Sequence, residues 1–184
     1  MRVITGSAKG IRLKTLDGLD VRPTTDRVKE GMFSAIQFEI PGTRVLDLFA
    51  GSGQLGIEAL SRGAKQVVFV DQSAKSLQVV KENLKLTRFL DHAEIYHQSA
   101  EQYLKSCPDH AFDLIFLDAP YRMQILEKII PALSRILRTN GKIIAEHETE
   151  CKLPEKILDL HLQKEYFYGK IVVSVFAKNS GIAE

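Results

Sequence analysis

From Arg44 onward, short apolar runs alternate with stretches in which apolar residues recur every three or four positions. Arg44 to Phe49, Gln66 to Val70, Ala93 to His97, Asp113 to Leu117 and Lys142 to Glu146 read as strands; Gln54 to Arg62, Ala74 to Thr87, Ala100 to Ser106 and Gln124 to Leu137 read as helices. Strict alternation of this kind is the signature of βαβ units and a parallel sheet. In the last helical stretch Ile125, Leu126, Ile129, Ile130, Leu133, Ile136 and Leu137 form one apolar face, and Pro131 within it predicts a kink or a break. Leu160 to Tyr168 and Ile171 to Ala177 flank Gly169-Lys170, predicting a terminal antiparallel hairpin. Upstream, Arg2 to Thr5 and Ile11 to Leu16 bracket the glycine-bounded stretch Gly6 to Gly10, as in a hairpin with a longer loop. After Arg22-Pro23, Thr24 or Thr25 is placed to cap a helix carrying Val28, Met32, Phe33 and Ile36, which Pro41-Gly42 stops. The expected organisation is a single domain over residues 1–184, with 1–21 as a hairpin extension and no linker or repeat.

Composition agrees with one core: 184 residues, 45% hydrophobic and 26% charged, is the balance of a globule. No apolar run approaches the length of a membrane span, and the first residues lack the apolar segment of a secretory leader, so a cytoplasmic location is expected. Cys107 and Cys151 are isolated and read as reduced thiols; with no CxxC pair or histidine cluster, no metal is expected. The net charge of +2 becomes informative when divided: residues 1–30 hold seven basic and four acidic residues, +3, and the remainder 18 basic and 19 acidic, −1. The positive balance thus lies where a polyanion would be met, or else on a solvated hairpin. Arg2, Lys9, Arg12, Lys14, Arg22 and Arg27 are the candidate phosphate contacts.

Val45 to Gly56 is an apolar strand running into a glycine-rich loop and then a helix. Gly51, Gly53 and Gly56 fit GxGxxG, and Asp71 lies twenty residues after Gly51, where an acid accepts hydrogen bonds from ribose hydroxyls. That much suits a nicotinamide dinucleotide as well as S-adenosylmethionine. Two features favour the latter. Asp47 precedes the loop by four residues, where a carboxylate meets the amino group of a methionine moiety and repels a pyrophosphate; its alternative is a structural acid capping loop amides. A chain of this length also leaves no room for the large substrate domain of a dehydrogenase.

Asp113 to Tyr121 is an apolar strand delivering Asp118 to its carboxyl end, beside the crevice of an open parallel sheet, followed by Ala119, Pro120 and Tyr121. An exocyclic base amine is a poor nucleophile because its lone pair is delocalised. Hydrogen bonds from it to the Asp118 carboxylate and the Ala119 carbonyl would hold the nitrogen in line with a methyl sulfonium, and Tyr121 would stack on an extruded base. The alternative is an Asp-x-Pro turn with a packed tyrosine. Ser99 stands where a loop contacts an adenine edge or where a helix is capped. His147 lies between Glu146 and Glu148, but neighbours on a strand point to opposite faces, which argues against a metal.

Arg2 to Gly6, Arg22-Pro23-Thr24-Thr25-Asp26-Arg27-Val28-Lys29-Glu30, Val45 to Gly53, Glu58 to Ala64, the Asp118 motif and Tyr168-Gly169 together resemble the bacterial 16S ribosomal RNA guanine-N2 methyltransferases over nearly the full chain. The resemblance implies an α/β, Rossmann-like class I methyltransferase fold with a mostly parallel seven-stranded sheet, helices on both faces and small hairpins at each end. It implies S-adenosylmethionine as cofactor and, as substrate, the 2-amino group of a guanine in 16S rRNA within an assembling small subunit, with the enzyme a monomer. Carried over, Asp47, Phe49, Gly51, Ser52, Gly53, Asp71, Gln72, Ser99, Ala100 and Asp118 face the cofactor, and Asp118, Ala119, Pro120 and Tyr121 the target base. Two departures stand out: Ala119 replaces the family's first proline, and Ser99 replaces its Asp or Asn. Rival readings are a methyltransferase for another base amine, such as adenine N6 of DNA, a non-catalytic nucleotide-binding module, and a nicotinamide-dependent dehydrogenase.

Overall fold

The computed structural model describes residues 1–16, 26–118 and 123–178, with only the backbone of 123–128. In chain order the elements are α1 (Asp26–Ile36), β1 (Arg44–Asp47), α2 (Gln54–Ser61), β2 (Gln66–Asp71), α3 (Ala74–Thr87), a 3-10 turn (Leu90–His92), β3 (Ala93–His97), α4 (Ala100–Ser106), β4 (Phe112–Leu117), α5 (Met123–Ile136), β5 (Leu137–Glu148), β6 (Lys156–Ile157), β7 (Leu160–Tyr168) and β8 (Ile171–Lys178).

The strands form one sheet in the order β3-β2-β1-β4-β5-β8-β7-β6, parallel from β3 through β5 and antiparallel beyond. Strands buried on both faces must be apolar at successive positions, and here alternate residues divide between two cores. Val45, Phe69, Phe116, Ile144 and Val173 join α1, α2 and α3 on one side; Leu46, Val68, Ile115, Ile143 and Phe176 join α4 and α5 on the other. Because β1 pairs with β2 on one flank and β4 on the other, the chain reverses direction there, leaving a crevice at the carboxyl ends of β1 and β4.

The sheet has eight strands rather than the expected seven. The addition, β6, is two residues long and pairs with the edge of β7, too short to leave a periodic signal. β5 begins at Leu137 rather than Lys142, immediately after α5; Asn140 adopts a positive φ of 64° and the β4–β5 register shifts between Phe112 and Leu114. α5 runs on through Pro131 without the break that proline allowed. The N-terminal segment is the expected antiparallel hairpin with a longer loop: Arg2 bridges Arg12, the Val3 amide donates to the Ile11 carbonyl at 3.0 Å, the Gly10 amide to the Val3 carbonyl at 2.9 Å and the Leu13 amide to the Met1 carbonyl at 3.0 Å. The hairpin is also tied to α2: the Ile4 and Thr5 amides donate to the Glu58 carboxylate at 2.7 and 3.0 Å, and the Ser7 amide to the Ser61 carbonyl at 2.9 Å. Val3, Ala8 and Leu13 of this arm are buried in the α1–α3 core. The proposed caps Thr24 and Thr25 lie outside the described residues.

Candidate active site

The loop after β1 is suspended between its neighbours. Leu48 donates to the Phe116 carbonyl at 3.2 Å, while Phe49 and Ala50 both donate to the Val70 carbonyl, at 3.2 and 3.0 Å. Phe49 is forced to a φ of 111°, ending β1 at Asp47 rather than at Phe49. Gly51 (φ 53°) then turns the chain into left-handed space, and a Cβ placed there would meet nothing within 4 Å, so its backbone is open to close approach by a ligand. Gly56 serves differently: a Cβ there would lie 2.3 Å from Phe69, so this glycine lets α2 sit against β2.

Asp71, at the end of β2, accepts from the Gly51 amide (2.9 Å) and the Ser73 amide (2.8 Å) and remains partly exposed. A carboxylate has lone pairs beyond those two bonds, leaving capacity for a diol. Asp47 is 2% exposed and accepts from the Gly56 amide at 2.9 Å, so the loop-capping role weighed from sequence is present. Burial, then the negative charges of Asp118 and Asp71, push its carboxyl up to about 8 against the opposing Gly56 hydrogen bond. A cation seated beside it would restore its charge. Asp118 follows β4 half-buried; Ala119, Pro120 and Tyr121 lie outside the described residues.

The raised acid makes the ligand-free protein pH-sensitive. A carboxyl whose folded value exceeds its unfolded 3.8 binds more protons folded than unfolded, so stability falls as pH rises between about 4 and about 8 and is flat beyond. Asp47→Asn should remove that contribution, which has a limiting slope of about 1.4 kcal/mol per pH unit. Chemical unfolding of both chains from pH 5 to 9 checks it: parallel profiles would show that Asp47 is not the titrating group.

The loops after β2 and β3 are knitted together beside Asp71. The Gln98 amide donates to the Asp71 carbonyl at 3.2 Å, and the His97 ring meets the Gln72 carbonyl at 3.0 Å. Ser99 caps α4 in a reciprocal pair with Gln102, its hydroxyl oxygen accepting from the Gln102 amide at 3.2 Å, and Ala100 is buried. Ser52 is buried, and its carbonyl accepts from Asn83 at 2.9 Å. Of the basic candidates, Arg2 pairs with Asp26 at 3.3 Å and Lys14 with Glu82 at 2.7 Å, while Lys9, Arg12 and Arg27 are exposed; Arg22 lies outside the described residues. His147 is a buried sheet residue whose ring meets the Ser174 hydroxyl at 2.7 Å. Among the described residues no acid, histidine and cysteine cluster could hold a metal ion, and no helix is long and apolar enough to cross a membrane.

Two polar residues of α2 escaped the sequence reading: Glu58, which anchors the N-terminal arm, and Gln54. Every residue of this helix is buried, so each polar side chain within it requires a partner. The available signal was polar residues four apart, Gln54 and Glu58, in a helix passing beneath a glycine loop.

The family described as Conserved hypothetical protein 95 matches residues 1–177. A Bacillus subtilis protein provisionally named the rRNA methyltransferase YlbH is 44% identical over 182 residues, 97% of this chain and 99% of that one. The Escherichia coli ribosomal RNA small subunit methyltransferase D is 32% identical over 184 residues, 98% and 91% of the two chains. A solved Escherichia coli structure, provisionally named the methyltransferase yhhF, superposes with a TM-score of 0.86 at 32% identity, covering 97% of this chain and 98% of that one.

Proposed function

The chain belongs to the Conserved hypothetical protein 95 family, together with the ribosomal RNA small subunit methyltransferase D that it matches, and from that footing we propose that it transfers the methyl group of S-adenosylmethionine to the exocyclic N2 amine of a guanine in 16S ribosomal RNA. The observation that carries this reading is the set of three carboxylates, Asp71, Asp47 and Asp118, at the adjacent strand ends of β2, β1 and β4 around the open backbone of Gly51. Asp47, raised first by burial and then by the charges of Asp118 and Asp71, suits a site for a cationic adenosyl amino acid, and the three acids would oppose a dinucleotide pyrophosphate.

S-adenosylmethionine, when bound, supplies an electrophilic methyl on a sulfonium. The protein's residues do the rest. Asp71 holds the ribose diol, Asp47 faces the amino group, and Phe49, Gly51, Ser52, Gly53, Gln72, Ser99 and Ala100 border the ligand. Asp118 accepts a hydrogen bond from the base amine, drawing its lone pair out of conjugation and onto the line of transfer, while Ala119, Pro120 and Tyr121 complete the base site. Residues 1–184 act as a single cytoplasmic, monomeric unit without a metal, and the basic residues of 1–21, with Arg22 and Arg27, approach RNA phosphates within the assembling small subunit.

The test is transfer of labelled methyl from S-adenosylmethionine to small subunits, naked rRNA and duplex DNA, followed by nucleoside analysis. Label in N2-methylguanosine is expected. Label in N6-methyladenosine of DNA would replace the substrate, and cofactor binding with no transfer to any of the three would favour a binding module.

A further inference from the structure

The side chain of Asn83, fully buried on α3, joins two segments that lie far apart in the chain. Its Oδ1 accepts from the Lys14 amide at 2.8 Å, and its Nδ2 donates to the Lys14 carbonyl at 3.0 Å and to the Ser52 carbonyl at 2.9 Å. An amide has one acceptor and two donors, and all are in use here. The first two bonds copy the pair that a residue exchanges with a neighbouring strand, so Asn83 completes the base of the N-terminal hairpin. The third reaches the glycine loop. There the Gly53 amide donates to the Ala50 carbonyl at 2.7 Å, so the Ser52–Gly53 peptide is held at both of its polar ends. Val80, three residues earlier on the same face of α3, lies 3.2 Å from where a Cβ of Gly53 would stand, so packing seats the loop on this helix as well. The other strand of the hairpin touches the same loop, with the Ser52 hydroxyl 3.9 Å from Met1 Sδ. Glu58 and Ser61 already fasten the hairpin at Ile4, Thr5, Ser7 and Ala8; Asn83 differs from them in holding the loop too.

Resting on the cofactor and RNA readings above, we propose that Asn83 is a positioning residue that couples the RNA-bearing hairpin to the cofactor loop, so that RNA and cofactor each strengthen the binding of the other. RNA phosphates held at Arg12 restrain the strand that runs on to Lys14. The shared amide passes that restraint to the Ser52–Gly53 peptide, and a loop already ordered costs the cofactor less to bind. The effect is reciprocal by thermodynamic necessity: the factor by which RNA tightens the cofactor is the factor by which the cofactor tightens RNA.

The experiment is equilibrium dialysis of labelled S-adenosylhomocysteine against the full chain, alone and with saturating small ribosomal subunits. In the parent the subunits should tighten S-adenosylhomocysteine by about fivefold or more, the lower end of the usual range for coupled sites. Asn83→Asp keeps the acceptor for the Lys14 amide and removes the donor shared by Lys14 and Ser52; its coupling factor should fall close to one, whatever it does to either affinity alone. Lys14→Ala keeps every backbone bond to Asn83, so it should weaken subunit binding yet retain the parent's factor. Hydrogen exchange on the parent needs no variant: saturating S-adenosylhomocysteine should slow exchange of the Lys14 amide, which Asn83 links to the loop. A factor of one in the parent, a factor that Asn83→Asp leaves unchanged, or Lys14 exchange that ignores the ligand overturns the role of Asn83 while leaving the cofactor and RNA readings intact. A parent that binds no S-adenosylhomocysteine overturns the cofactor reading, and one that binds it but not the subunits overturns the RNA reading, each taking this inference with it.

Discussion

Asp118→Ala is expected to cut methyl transfer by about 10²- to 10⁴-fold, the range typical of a positioned group that acts on the reacting atom, while S-adenosylhomocysteine binding survives. The two effects separate because of where Asp118 sits. It follows β4, on the flank of β1 away from Asp71, the carboxylate that accepts from the Gly51 and Ser73 amides of the loops approaching the ribose. Removing that charge also relieves Asp47, whose raised carboxyl owes part of its displacement to Asp118, and this offsets the lost attraction for a cationic ligand. Asp118→Asn retains an oxygen acceptor for the amine and should fall between parent and alanine. Single-turnover rates on small subunits, paired with calorimetry, decide it: turnover kept in the alanine variant would end the role in amine orientation, and parallel loss of cofactor affinity would move Asp118 into the cofactor site.

What could be read from the sequence follows from what is periodic. The five parallel strands and their helices leave repeating apolar positions, and the glycine loop announces itself because Gly51 and Gly53 occupy backbone space that other residues avoid. Asp47, Asp71 and Asp118 were legible because each ends an apolar run, and strand ends in a parallel sheet converge. β6 was not, since two residues carry no period. The N-terminal hairpin was legible from its glycine-bounded loop, but its attachment was not: Glu58, which captures the Ile4 and Thr5 amides, lies more than fifty residues away, and a side chain binding distant backbone leaves no local pattern. Ser99 was left open between two roles, and Gln102, three residues on, completes its capping box.

Glu58→Ala should destabilise the protein by about 3–5 kcal/mol, the cost of leaving a buried charge without its partner. At this chain length that corresponds to a fall in melting temperature of roughly 10 °C. Glu58 is fully buried, accepts from three donors, the Ile4 and Thr5 amides and Arg62 at 2.9 Å, and forms an ion pair with the Lys29 ammonium at 3.8 Å. Lys29 is itself fully buried and donates to the Arg2 carbonyl at 2.6 Å. Burial lowers its proton affinity and the Glu58 charge opposes that shift, so removing Glu58 deepens it. A lysine whose folded value is depressed costs stability below that value, and the cost shrinks as pH rises toward the ordinary 10.5. The deficit of Glu58→Ala relative to the parent should therefore narrow in the alkaline range, whereas lost packing alone would leave it constant. Glu58 also fixes the arm that carries Arg2, Lys9 and Arg12, so the same variant, assayed well below its melting point, should raise the Michaelis constant for RNA while leaving S-adenosylhomocysteine binding unchanged. An unaltered constant for RNA would show that the arm is a structural strap and that phosphate contacts lie on another surface.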